Sequence, residues 1–120
     1  MIRYLDVVAL LELAKRLGVG PVRDVGLLES AAARVSSTVF GEDAYPTLNE
    51  KAAVLLESIL QNHGLVDGNK RLAWLSFVVF LSINGVVLDV EDDDAYDMII
   101  DLTTKKIDRN QAMEWLAQHS

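Results

Sequence analysis

The decapeptide NHGLVDGNKR, residues 62–71, gathers His63, Asp67, Asn69, Lys70 and Arg71 around two glycines. It separates two strongly apolar stretches, AAVLLESIL before it and LAWLSFVVFLSI after it. A loop over 64–68 followed by a helix from Asn69 turns the unbonded N–H groups of the first turn, and the positive end of the helix dipole, outward. Lys70 adds a mobile point charge there and Arg71 a guanidinium fork suited to phosphate oxygens. Asp67 beside a polyphosphate is placed to hold Mg²⁺, which takes oxygen ligands and phosphates together. On the other side of the loop, His63 as a neutral imidazole can take a proton from an attacking hydroxyl. Anion holder, metal ligand and base in one short loop form a coherent set for phosphoryl-type transfer.

Each residue alone has a plainer role. A histidine at a helix end is commonly a C-cap partner, Asp67 an N-cap, and a Lys-Arg pair a solvated face. Their joint placement with two glycines between apolar helices favours the functional reading. The segment is not a Walker A loop, which needs four residues between its glycines and Ser or Thr after the lysine; here three residues intervene and Arg71 follows Lys70. The acidic run DVEDDD, residues 89–94, lacks the glycine and spaced glutamate of an EF-hand loop and reads as a carboxylate-rich helix N-terminus.

A chain of 120 residues with 51% hydrophobic residues is large enough to close one core, and a single domain over 1–120 is expected. Net charge −7 argues against nonspecific nucleic-acid binding, which needs a basic face, and no direct nucleic-acid partner is expected. Zero cysteines exclude disulfides and thiolate metal sites. The N-terminus is broken by Arg3, Asp6 and Glu12, and the run Leu72–Ile83 is shorter than the roughly 20 residues of a membrane span. A soluble cytoplasmic protein without membrane contact is expected.

The elements that position the motif are all helical. Apolar spacing predicts a first helix over 6–17, with Asp6 as N-cap and Gly18 as stop, and a second from Asp24 through VGLLESAAARV. SSTVFGEDAYP, residues 36–46, breaks the pattern as a short hairpin or extended flap. Thr47 and Glu50 form a capping box opening a third helix that ends near His63 and Gly64. Residues 69–83 are apolar nearly all round, which describes a central buried helix, stopped by Asn84-Gly85. VVLDV reads as a brief extended piece, Asp92 or Asp93 starts a helix through about Thr104, and Asp108 starts the last, RNQAMEWLAQH. Trp74 and Trp115 are expected as core or core-edge aromatics, and His119 as a frayed terminal residue.

H63-G-L-V-D-G-N-K-R71 resembles the signature of the Fic/Doc family, H-P-F-x-[DE]-G-N-x-R, with the lysine of its Doc branch. RDVGLLESAAARV (23–35), YPTLNEKAAVLLESILQNH (45–63) and FLSINGVVL are also similar to Doc toxins, so the resemblance covers about residues 22–88. It implies an all-α, Fic-like bundle of about six helices around a central buried helix, with a short extended flap. It further implies a toxin of a bacterial toxin-antitoxin module that transfers the γ-phosphate of ATP to a threonine of elongation factor Tu and blocks translation. A Phd-like antitoxin would hold it in check. By similarity His63 would be the base and Asp67 the Mg²⁺ ligand. Gly68, Asn69, Lys70 and Arg71 would hold the nucleotide phosphates. The flap edge at Thr38, Val39 and Phe40 would receive the target as an added strand.

Lys70 stands where nucleotidylating Fic enzymes carry glycine, which favours the Doc-like orientation of ATP; AMP transfer to a protein hydroxyl is the alternative. Two positions depart from the pattern. Gly64 replaces the usual proline, which is expected to loosen His63, and Leu65 replaces the usual phenylalanine as the loop's apolar anchor. A catalytically weakened Fic fold acting as an antitoxin-binding module is the third reading.

Overall fold

The computed structural model describes residues 1–120 as six helices and one minimal hairpin: α1 (Val7–Leu17), α2 (Val25–Val35), β1 (Thr38–Val39), β2 (Glu42–Asp43), α3 (Leu48–Asn62), α4 (Asn69–Ile83), α5 (Asp92–Thr103) and α6 (Arg109–His119). Most helix starts follow from one side chain each. Asp6, Asp24, Thr47 and Asp108 accept from the N–H groups of Ala9, Gly26, Glu50 and Gln111, satisfying donors that no helical carbonyl reaches. The capping box is complete at Asp108–Gln111, and at Thr47 the threonine half forms. α5 starts from Glu91 without a side-chain cap, and Asp92, Asp93 and Asp94 in its first turn complement the dipole instead.

α3 and α4 share the centre. α3 packs against α2, α4, α5 and α6, and its residues 51–56 are buried without interruption. α4 presents Leu72, Phe77, Phe80 and Leu81 to the core and also packs on α1. Both therefore read as apolar runs with little amphipathic contrast. The two ends of the helix pair differ in consequence: α4 begins, and α3 ends, at the motif loop.

The flap is a true hairpin, pairing Thr38 with Asp43 and Val39 with Glu42. Its two turn residues, Phe40 and Gly41, both have positive φ (51° and 81°), the backbone of a turn that matches strand twist. Lys51 on α3 fastens the hairpin. Its side chain is fully buried, and its ammonium donates to the Asp43 carboxylate at 3.1 Å and to the Tyr45 carbonyl, above the Tyr4 ring.

VVLDV lies outside the helices and pairs with no strand, and its Asp89 N–H donates to the His119 carbonyl at 2.8 Å. One expectation at the C-terminal side is corrected. His119 does not fray. Its ring stacks on Trp115 at 4.2 Å, and its Nδ1 lies 2.7 Å from the Trp115 carbonyl, so the α6 terminus is tied to residue 89. No helix is long and apolar enough to cross a membrane.

Replacing Lys51 with methionine keeps the stem packed but removes the charged donor from the hairpin. Loss of hydrogen bonds worth about 1.5–3 kcal/mol should speed exchange of the Ala44 amide, which donates to Ser37 at 2.9 Å, with little change in helix content. Unchanged Ala44 exchange would show that the hairpin holds itself.

Candidate active site

The motif loop buries Leu65 as its own anchor, and the linker between α1 and α2 supplies partners for its backbone groups. Leu65 and Val22 form an antiparallel bridge. Around it, the Gly64 carbonyl accepts from the N–H groups of Arg23 (2.7 Å) and Asp24 (3.1 Å). Val66 N–H donates to Pro21 (2.9 Å) and Gly20 N–H to Asp67 (3.1 Å). Residues 20–24 thus act as a strand-like clamp along the loop.

Side chains complete the fastening. α3 stops because His63 takes a left-handed conformation (φ 52°, ψ 52°), leaving the last carbonyls without helical donors. The Arg23 guanidinium covers them, with Nε 2.9 Å from the His63 carbonyl and Nη2 reaching both His63 and Asn62. Asn62 in turn donates to the Leu27 carbonyl at 3.0 Å. Leu65 is 1% exposed, so leucine serves fully as the apolar anchor.

The two loop glycines meet different constraints. Gly68 caps α4 at φ 93°, and a Cβ there would lie 2.4 Å from Val19, so both backbone and space demand glycine. A Cβ at Gly64 would lie 2.8 Å from Leu28. The expectation that Gly64 loosens the loop is therefore corrected. Leu28 fills the space that a side chain at 64 would take, and two backbone donors hold the Gly64 carbonyl.

Within this frame His63, Asp67, Gly68, Asn69, Lys70 and Arg71 line one hollow of about 360 Å³, joined by Tyr96 and Thr103 of α5. No side chain caps the first turn of α4, whose outward N–H groups suit an anion. Lys70 and Arg71 are exposed and enter none of the four ion pairs of the chain. Asn69 is different: both ends of its amide are used within the loop, accepting from the Leu65 N–H (3.0 Å) and donating to the Leu65 carbonyl (2.9 Å). Its backbone N–H is what remains for an anion.

Thr38, Val39 and Phe40 do not line this hollow. Their hairpin is fastened at Lys51, twelve residues before His63 and so about 18 Å along the helix. Phe40 and Val39 are strongly exposed. A second hollow of about 400 Å³ meets the first at Leu60, His63 and Thr103 and extends to Glu57, Gln61 and Lys105. Glu57 is held there by Arg34 (3.3 Å) and Arg109 (3.5 Å).

Sequence reasoning did not single out Arg23, Val19, Tyr96 or Thr103 as parts of the site. Arg23 reaches its acceptors across about forty positions, and no local spacing signals such a contact. Gly64→Ala should lower stability by about 1–3 kcal/mol through overpacking, and by less in a Leu28→Ala background, measured by urea unfolding. Strict additivity of the two changes would refute the direct contact.

With the geometry in hand, relatives can be placed beside it. The model of the Fic/DOC family matches residues 4–81, reaching further toward the N-terminus than the motif segments and taking in α1 and the clamp. "Toxin Doc" of Mycolicibacterium smegmatis (strain ATCC 700084 / mc(2)155) is 50% identical over 98 residues, covering 80% of this chain and 75% of that protein. A helical bundle whose motif loop joins its two central helices agrees with both matches, and the chain belongs to the Fic/Doc family, in its Doc toxin branch.

Proposed function

We propose that this protein is the toxin of a bacterial toxin-antitoxin module and transfers the γ-phosphate of ATP to a threonine of elongation factor Tu, with a Phd-like antitoxin as its partner. The observation that carries the reading is one hollow holding the exposed His63, the N-terminus of α4 with no side-chain cap, and the unpaired cations Lys70 and Arg71. The similarity to a protein named Toxin Doc supports the toxin assignment.

In this reading His63 is the general base. Its ring has no hydrogen-bond partner within the chain and is free to take the proton of the threonine hydroxyl as that oxygen attacks the γ-phosphorus. The new O–P bond forms, the bridging P–O bond breaks, and ADP leaves with the bonding pair. Arg23 is a positioning residue, holding the backbone from which the imidazole projects. The free N–H groups of Gly68-capped α4, with Lys70 and Arg71, hold the phosphates; Asn69 contributes through its backbone while its amide keeps the loop shaped.

The donor set also fits Mg²⁺. Asp67 is the one carboxylate lining the hollow, and Mg²⁺ at nucleotide sites is commonly bound by one or two carboxylates plus phosphates and water. When bound, the ion would neutralise charge on the phosphates. The exposed edge of Thr38 and Val39 would accept the target segment by backbone hydrogen bonds. AMP transfer is the second reading, favoured by the further hollow that adjoins His63.

Incubation with Mg²⁺, elongation factor Tu and ATP labelled at either the γ- or the α-phosphate tests this. Label is expected from the γ position alone, with His63→Ala lowering the rate by roughly 10²–10⁴-fold. Label from the α position would replace kinase by AMP transfer. Val39→Pro should abolish labelling of the target while calorimetry shows ATP binding intact; loss of both would remove the flap from target binding.

A further inference from the structure

The second hollow beside His63 carries hydrogen-bonding groups that the fold does not use. Glu57 and Gln61, one turn apart on α3, stand in its wall with His63 just beyond them. Arg34 and Arg109 meet Glu57 at the same oxygen, Oε1 (3.3 and 3.5 Å), so Oε2 is left without a partner in the chain. That side chain is only 16% exposed, where an unmade hydrogen bond costs more than at the surface. Gln61 is exposed and its amide bonds to nothing in the chain, leaving both a donor and an acceptor open. Two guanidiniums already offset the Glu57 charge, and Lys105 lines the same hollow, so a cation gains little there; an anion would meet Oε2. The groups suit an uncharged ligand that both donates and accepts.

Resting on the kinase reading above, we propose that this hollow holds the main chain of the protein substrate next to its acceptor hydroxyl, with Glu57 Oε2 accepting from one peptide N–H and the Gln61 amide bonding the next peptide group on that side. The spacings agree. Residues four apart on a helix rise about 6 Å, and alternate residues of an extended chain repeat at about 6.6 Å. The hollow also lies on the way from the hairpin to the base. Glu57 is about 9 Å along α3 both from Lys51, which fastens the hairpin, and from His63. Arg34 joins it to the hairpin base, with Nε 3.0 Å from the Tyr45 hydroxyl and Nη1 on Glu57. A segment paired at Thr38 and Val39 needs about five extended residues to cover the 18 Å or so to His63, and Glu57 and Gln61 stand along that path. Held by its backbone, the segment is presented to His63 whatever side chains flank the acceptor.

Transfer kinetics with γ-labelled ATP and elongation factor Tu, each varied separately, test the assignment together with calorimetry of ATP binding. Gln61→Leu, at an exposed position, removes both amide groups; it should raise KM for elongation factor Tu about tenfold, with kcat little changed and ATP affinity unaltered. The chain has no cysteine, so a benzophenone on Lys105→Cys labels the rim of the hollow alone, and it should crosslink to elongation factor Tu within a few residues of the acceptor threonine. An unchanged KM for the protein substrate, or crosslinks remote from the acceptor, overturns the placement while leaving the transfer standing. Weaker ATP binding by Gln61→Leu gives the hollow to the nucleotide and overturns it as well. Wild-type protein that transfers no γ-label to elongation factor Tu overturns the kinase reading and this inference with it.

Discussion

Residues 62–69 must leave one helix, turn and start another with Leu65 as the one apolar side chain buried beneath them. Their backbone groups need partners that the loop itself lacks. The linker after α1 provides these, through the Gly64 carbonyl, the Val66 N–H and the Asp67 carbonyl, and through the Arg23 guanidinium over the end of α3. Everything chemical in the site hangs from this pairing. His63 projects from a left-handed residue that would otherwise end a helix loosely, and the N-terminus of α4 points where Gly68 turns it.

Backbone and side chains divide the work as a result. The shape of the loop is set by main-chain hydrogen bonds, by the Asn69 amide and by Leu65 in the core. That leaves His63, Asp67, Lys70 and Arg71 free of structural duties. In a chain of net charge −7, Lys70 and Arg71 stay unpaired at a helix N-terminus, an arrangement that suits an anion. Three other cations are spent on structure: Lys51 on the hairpin, and Arg34 and Arg109 on Glu57 around the Tyr45 ring.

Much of the scaffold was legible because its signals are local. Asp6, Asp24, Thr47 and Asp108 bond to N–H groups two or three residues away, so helix starts could be read from short spacings. The motif residues were legible because they are adjacent in sequence. The clamp was not, since its bonds join residues about forty apart through main-chain atoms that carry no residue identity. Gly64 was misread for the same reason: its mobility is decided by Leu28, a residue of another helix. Tyr96 and Thr103 enter the site from α5 only through packing. His119 was misread because its restraint comes from Trp115 and from a distant backbone donor at Asp89.

The clamp is tested most directly by amide hydrogen exchange in the protein without ligand. The N–H groups of Arg23, Asp24 and Val66 belong to exposed or loop residues, yet each donates across the linker–loop pairing. They are expected to exchange as slowly as amides within α3, because opening them requires releasing the motif loop from the fold. Exchange at the rate of an open loop would contradict it, and His63 would then need some other support.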